Sequence, residues 1–385
     1  MERSQDRLKG GYVAEGPAIP FTPPHVSVNR VAIVDLPGLP LDEEVRGRRA
    51  YNLLSPEAIL AYAQEHAPAL NLDPAQPFDV ARRRVPLLVD GALSSAREER
   101  RGAAEVIARR LGRNLAYILL TLHRGDRINR EARPDWEDTD WERWRSIRRV
   151  WFGGGVMSGE LGRRVIGEAR AHLENLGCDG LLEIDVTPYR GDLALYGAAR
   201  YLPAAQPDAV VCDFGHTAVK RAHLGLVDGT ITQVRSLDPI PAPWEMHNEP
   251  RAAAEIDPQE VLDFVGEVVA RTLQESGAAG TDLVLSVAAY VEGGRLLGNG
   301  IYARMSRLTI DVRPLVEGAV AARTGRGVRV RFIHDGTAAA ALHAGEVQAA
   351  VIVVGTALGV GFPPAEAEDL RPLASDLVLI TDVEG

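Results

Sequence analysis

Three observations predict an α/β fold for this chain of 385 residues. Short apolar runs at 147–152, 181–186, 209–214, 282–291, 328–333 and 350–354 read as buried strands. Helical spacing of apolar residues occupies the segments between them, most clearly at 94–122, 159–176 and 257–276. Several of these strands also end in turns of one kind: FGGG at 152–155, DFGHT at 213–217, GTALGVG at 355–361, and a fourth on Asp335. Parallel strands that end alike bring their turns to one edge of a sheet, which is the ligand edge of open α/β structures.

Taken in order, residues 1–27 are rich in Gly and Pro and read as an irregular arm. The alternation at 28–36 predicts a strand, closed by Pro37-Gly38-Leu39-Pro40. Ser55 followed by Pro56 predicts a helix start, with helix to about residue 67, and the Pro-punctuated stretch 68–84 predicts a loop. A long amphipathic helix is expected over 94–122. Trp136, Trp141 and Trp144 then sit among acidic residues, and two readings stand: an aromatic platform for a ligand, or a surface insertion packing its rings at a subunit contact. Strand, helix and strand follow at 147–152, 159–176 and 181–186, then a small-residue helix from Gly191 and a linker at 203–207. Strands at 209–214, 218–227 and 230–237 make a meander whose second turn is Asp228-Gly229, a strong hairpin signal. Asp257, Pro258 and Glu260 combine an N-cap, Pro at the first helical position and an acidic third residue, predicting a helix to Ser276. Strand 282–291, helix 312–324, strand 328–333 and helix 337–344 complete an order βββαβαβα, and a second unit starts at 350–354. A last strand is expected at 376–382.

Composition narrows the function classes. A formal net charge of -10 with no basic tract argues against binding nucleic acid through its phosphates. With a polar start and no run of 18 apolar residues, no leader or membrane span is expected, and a cytoplasmic address follows by default. Cys178 and Cys212 are too few for a thiolate zinc site and read as buried free thiols, so no structural zinc is expected.

The turns carry the chemistry. In VVCDFGHTAVK a buried strand delivers Asp213 to its mouth, Gly215 frees backbone N–H groups, and Thr217 and Lys220 add a hydroxyl and an ammonium. That set suits a metal-bound polyphosphate, with Asp213 holding Mg²⁺ through water. Gly355, Thr356 and Gly359 form a second phosphate-type turn, and Gly153, Gly154 and Gly155 a third where backbone can approach a ligand closely. Asp335, at a strand end beside a helix start, has two readings: a general base for an incoming hydroxyl, or a helix N-cap. Lys220 is either a phosphate ligand or an exposed strand residue. His334 and Asn299 are candidate substrate contacts, though a Gly-Asn turn also accounts for Asn299.

Jointly, these motifs resemble the sugar kinase, heat-shock protein and actin superfamily, and within it the ROK family of bacterial sugar kinases and repressors. DFGHTAVK is similar to the first phosphate motif, D-x-G-G-T-x-x-K, with His216 in place of a Gly. VRFIHDGTAAAALHAG resembles the strand, catalytic-aspartate turn and helix, VIVVGTALGVGF the second phosphate motif, and VWFGGGVMSGELG the adenosine motif. The resemblance spans about 103–362 and implies two ribonuclease H-like (actin-like ATPase) domains around a nucleotide cleft. It assigns 191–345 to the first domain and 28–190 with 346–385 to the second. It also implies ATP and Mg²⁺ as cofactors, a small-molecule substrate and a homodimer.

The order differs from the family's, in which the first phosphate motif opens the chain. A circular permutation accounts for this and predicts that 28–36 and 376–382 share a sheet; their placement in separate domains refutes it. Two more departures matter. No Glu/His sugar-contact motif follows the second phosphate turn, and the His216 side chain stands where a γ-phosphate needs room. The functional expectation is an ATP- and Mg²⁺-dependent kinase acting on a hydroxyl of a sugar or small polyol. The alternative is a catalytically silent nucleotide- or ligand-binding protein of the same fold. A repressor is disfavoured, since no helix-turn-helix pattern or basic face is present.

Overall fold

The computed structural model describes residues 16–73, 78–203, 206–245 and 253–381. Its first part is helical. Ser55 separates α1 (Ala50–Leu54) from α2 (Pro56–Gln64) and accepts the Ala58 N–H at 3.3 Å, as an N-cap should. After α3 (Ala67–Leu70) and α4 (Phe78–Leu93) comes α5 (Glu98–Arg124), with Glu98 and Glu99 in its first turn and His123 and Arg124 in its last, each sign complementing the helix dipole. Two short helices, α6 (Arg127–Glu131) and α7 (Asp138–Ser146), lead to β1 (Arg149–Gly153), α8 (Glu160–Asn175), β2 (Glu183–Val186) and α9 (Leu193–Ala199).

The meander follows as β3 (Asp208–Phe214), β4 (Ala218–Val227) and β5 (Thr230–Pro241). Asp228 and Gly229 both take positive φ, 50° and 76°, which a tight hairpin between right-twisted strands requires. Asp257 accepts the Gln259 N–H at 2.8 Å and caps α10 (Pro258–Ser276). Then come β6 (Asp282–Val287), β7 (Tyr290–Glu292), β8 (Arg295–Leu297), α11 (Arg313–Thr324), β9 (Arg329–His334) and α12 (Asp335–Ala341). The chain ends its regular structure with β10 (Ala349–Val354), β11 (Leu358–Gly361) and β12 (Leu373–Thr381).

Among the described residues three sheets result, of mixed parallel and antiparallel pairing. The larger has the order β12-β5-β4-β3-β6-β9, with β3, β6 and β9 parallel and the meander antiparallel. A smaller one has the order β11-β10-β1-β2, with β10, β1 and β2 parallel and β11 antiparallel to β10. The third is the β7-β8 hairpin. One apolar core joins the N-terminal helices to the smaller sheet, a second packs α10 and α11 on one face of the larger sheet, and a third holds α9 and α12 against its other face. Where α9 crosses α12 the backbones nearly touch: a Cβ on Gly197 would lie 1.7 Å from the Ala338 carbonyl oxygen, so only Gly fits.

Several expectations are corrected. Residues 28–36 form no strand; a 3₁₀ turn at Val28–Arg30 and a lone bridge between Ala32 and Arg49 replace it. Val28, Val31, Ile33 and Leu36 are buried as the alternation demands, but in place of a ladder Val31 and Ile33 bond the backbone of Gly47, Arg48 and Ala50, and a side chain serves Val34 and Asp35. Asn129 accepts from Val34 N at 2.8 Å and donates to Asp35 O at 2.7 Å. β12, assigned to the second domain, instead pairs in parallel with β5 of the larger sheet; Asp382 lies outside the described residues. Residues 28–36 pack in the core of the smaller sheet, so the two segments are separated and the permutation as posed fails its test.

Part of the expected loop 68–84 belongs to α4, which accommodates Pro86 internally and buries Val85, Val89 and Ala92. The strand expected over 282–291 breaks after Val287, and its end becomes half of the β7-β8 hairpin. The tryptophan segment packs its rings, as the second reading expects, but inside the core and not on the surface. Trp136, Trp141 and Trp144 are core residues of the helical part, with the first two meeting edge to face at 4.8 Å.

Candidate functional site

Asp213 is the penultimate residue of β3, Lys220 its direct cross-strand partner on β4, and Ser286 its neighbour on β6. The Ser286 hydroxyl donates to Asp213 Oδ1 at 2.8 Å. Burial pushes the Asp213 carboxyl up to about 6; Lys220 opposes this, while Asp335 adds to it. Asp335 follows β9 directly, and burial raises its carboxyl to about 6 against the pull of the Gly336 N–H. Both carboxylates thus stand at the carboxyl ends of parallel strands that flank β6, each partly desolvated, with Asp335 within the electrostatic reach of Asp213.

The remaining turns close a ring around this pair. Gly359, on β11, brings its α-carbon side against Asp335: a Cβ there would sit 3.7 Å from Oδ1. At the start of β11's turn, Gly355 N donates to Ala357 O at 3.0 Å, and Thr356 beside it is half-buried. Val354, just before Gly355, abuts the β1 turn, where Val156 N donates to Val354 O at 3.3 Å. In that turn Ser158 Oγ donates to Gly154 O at 2.6 Å and lies beside Gly191. Finally the Lys220 ammonium donates to Gly191 O and pairs with Asp192 at 3.2 Å, returning the ring to Asp213.

The glycines separate into two groups. A Cβ on Gly153 would meet the Leu193 side chain at 1.9 Å, and one on Gly154, at φ +91°, would meet Val354 O at 2.6 Å. Close packing therefore accounts for these two without any ligand. A Cβ on Gly155 would meet nothing within 4 Å, so this glycine alone of the three has open space beside its α-carbon.

His334, expected at the substrate, is buried and has both ring nitrogens engaged inside the protein. Its Nδ1 accepts the Thr337 N–H at 3.3 Å and caps α12, and its Nε2 lies 3.1 Å from Asp335 Oδ1. The helix cap is thus His334, and Asp335 is released from that reading. Burial drives the His334 imidazole down to about 3, so it is neutral near pH 7. Asn299 is exposed in the loop after β8, whose Gly298 approaches Tyr290, the residue stacked on His334 at 4.5 Å. Gly215 receives the Tyr302 hydroxyl on its carbonyl at 2.9 Å, Thr217 is exposed at the turn tip, and the His216 carbonyl accepts the Trp244 indole N–H at 3.3 Å.

No family model, curated protein or solved structure matches this chain. Interpretation therefore rests on the geometry.

Sequence reasoning missed two contributors. Tyr290 carried no motif, and Ser286 looked like one residue of an apolar strand expected to run on to 291. The arm also reaches the site's surroundings. Asn29 donates to and accepts from Leu358 on β11 at 2.8 Å each, Thr22 meets Thr337 at 2.7 Å, and Ser27 bonds the Tyr290 hydroxyl. As a metal site, Asp213 offers a hard carboxylate with one oxygen held by Ser286, a donor set that suits Mg²⁺ completed by waters and phosphate oxygens. No cluster of three His, Cys, Asp or Glu able to hold a metal occurs among the described residues, so phosphates would have to complete the shell. Cys178 and Cys212 are buried and unbonded to each other, and no helix among the described residues is long and apolar enough to cross a membrane.

Proposed function

We propose that the chain is an ATP- and Mg²⁺-dependent phosphotransferase acting on a hydroxyl of a sugar or similar small polyol. Its architecture is read as two ribonuclease H-like units of the actin-like ATPase kind around a nucleotide cleft. The observation that carries the reading is the closed ring Asp213, Asp335, Gly359, Val354, Gly154, Ser158, Gly191, Lys220, in which turns from both sheets meet at paired carboxylates. Supporting the architecture, the larger sheet realises the βββαβαβα order as a meander beside two parallel strands. The smaller sheet begins the same way, with antiparallel β10 and β11 beside parallel β1 and β2. This rests on strand order alone and needs no pairing of the chain ends.

Phosphoryl transfer asks the protein mainly for positioning and charge neutralisation. Asp335 takes the proton of the acceptor hydroxyl, which a carboxylate titrating near 6 does in its ionised form at neutral pH. Asp213 holds Mg²⁺, which when bound would neutralise phosphate charge. Thr217 and Thr356 present hydroxyl groups to phosphates from turns that Gly215 and Gly355 shape, whose own N–H groups are taken by Asp213 O and Ala357 O at 3.0 Å each, and Gly155 admits the nucleoside side. The test is ATP consumption over a panel of sugars and polyols, with Asp335→Asn as control. Acceptor-dependent turnover that the substitution lowers at least a hundredfold is expected; turnover indifferent to it would remove the base.

A second reading, nucleotide or ligand binding without turnover, is favoured by one observation. The Lys220 ammonium is engaged by Gly191 and Asp192 and not directed at a phosphate position. ATP binding with no consumption across the panel would select it.

A further inference from the structure

We propose that His334 is a positioning residue, a neutral imidazole that donates its Nε2–H to Asp335 Oδ1 and thereby reserves Oδ2 for the acceptor hydroxyl. The inference rests on the reading of Asp335 as the base. It begins with the tautomer. Nδ1 accepts the Thr337 N–H at 3.3 Å, so the ring proton of a neutral imidazole must sit on Nε2. That nitrogen is 3.1 Å from Asp335 Oδ1, which also accepts the Gly336 N–H at 2.7 Å.

Oδ1 therefore has two donors, whereas Oδ2 has none among the described residues. The Asp335 side chain keeps 28% of its surface open, against 7% for His334, so the carboxylate is the more open member of the pair. The imidazole cannot swing away. Tyr290 stacks on it at 4.5 Å and 17°, and the Tyr290 hydroxyl is held by Ser27, whose Oγ accepts from Asn29 at 2.9 Å. The chain of contacts thus runs from Ser27 through Tyr290 and His334 to one carboxylate oxygen. A base aimed by a donor on its distal oxygen loses less orientational freedom on reaching the transition state.

Two substitutions separate orientation from folding. In His334→Asn the shorter side chain can still cap α12 by accepting from Thr337 N–H but cannot reach Asp335. His334→Gln restores an N–H donor of greater reach. With the best acceptor of the sugar panel, His334→Asn is expected to lower kcat on the order of a hundredfold while leaving KM for ATP unchanged, and His334→Gln to recover part of the loss. Equal KM and kcat losses, or full activity in His334→Asn, would overturn the proposal.

A second arm needs no turnover. Long-range ¹H–¹⁵N correlation on the labelled protein at neutral pH should give His334 as the Nε2–H tautomer, with that proton shifted and faster exchanging in Asp335→Ala. A Nδ1–H tautomer, an imidazolium, or an Nε2–H signal blind to Asp335→Ala would refute the arrangement. Absence of turnover with every acceptor would instead overturn the kinase reading, and the NMR result would then still decide the hydrogen bond.

Discussion

Asp335→Asn should make the protein more stable, not less, above pH 6. Folding raises this carboxyl from its ordinary 3.8 to about 6 because it is desolvated. Between those values the folded chain holds the proton more tightly than the unfolded chain, so wild-type stability falls as pH rises through the interval and then stays lower. At about 1.4 kcal/mol per pH unit, the ionised carboxylate costs at most about 3 kcal/mol. The 28% of its side chain left open argues for discounting this to ~1–2 kcal/mol. Asn keeps the shape and an oxygen for the His334 and Gly336 donors, so little is lost in exchange. His334 titrates in both proteins and cancels from the difference. Urea denaturation without nucleotide or Mg²⁺ at pH 4, 6 and 8 reads the effect. The gain should be near zero at pH 4 and full at pH 8. A gain independent of pH, or a loss at pH 8, would refute the claim that this site holds a carboxylate against its preference. Because Asp335 also raises Asp213, the gain in Asp213→Asn/Asp335→Asn should fall short of the sum of the single gains.

Other consequences follow from single contacts. Lys220→Met removes the cation that holds the Asp213 carboxyl down, so ¹³C carboxyl titration should find Asp213 above 6; an unmoved value would mean that Lys220 serves only Gly191 and Asp192. Gly336→Ala would thrust a Cβ to 2.3 Å from Val360 O where α12 meets β11, and should cost about 1–3 kcal/mol or more by chemical denaturation. Gly155→Ala, with nothing within 4 Å, should leave stability unchanged and weaken ATP binding if backbone at that turn meets the nucleotide; calorimetric titration decides between a ligand turn and an empty one. Asn29→Ala strips both of its bonds to Leu358 and should lower stability by about 1–3 kcal/mol, with hydrogen exchange quickening first along β11.

The contrast between 209–237 and 28–36 explains how much of this molecule was legible in its sequence. For the meander, local chemistry and tertiary demand coincide: alternating burial, the Asp228-Gly229 turn and strand length all call for the same ladder, and β3, β4 and β5 form it. Residues 28–36 have equally good alternation, but alternation encodes only which side chains are buried. Whether the backbone then joins a sheet depends on what else can satisfy its N–H and C=O groups, and here the backbone of Gly47, Arg48 and Ala50 serves Val31 and Ile33 while Asn129, nearly a hundred residues away, serves Val34 and Asp35. The same distinction governs the site. Asp213 and Asp335 were readable because strand-end carboxylates before Gly turns have a meaning that does not depend on neighbours. His334 was read as a substrate contact and not as the partner of Asp335, since its place is defined by Thr337, Asp335 and Tyr290 together, and Tyr290 is placed by a strand break that no residue pattern announced. Motif reading therefore found the two strand-end carboxylates and overlooked the contacts of Tyr290 and His334 around Asp335, because contacts between elements leave no period in the chain.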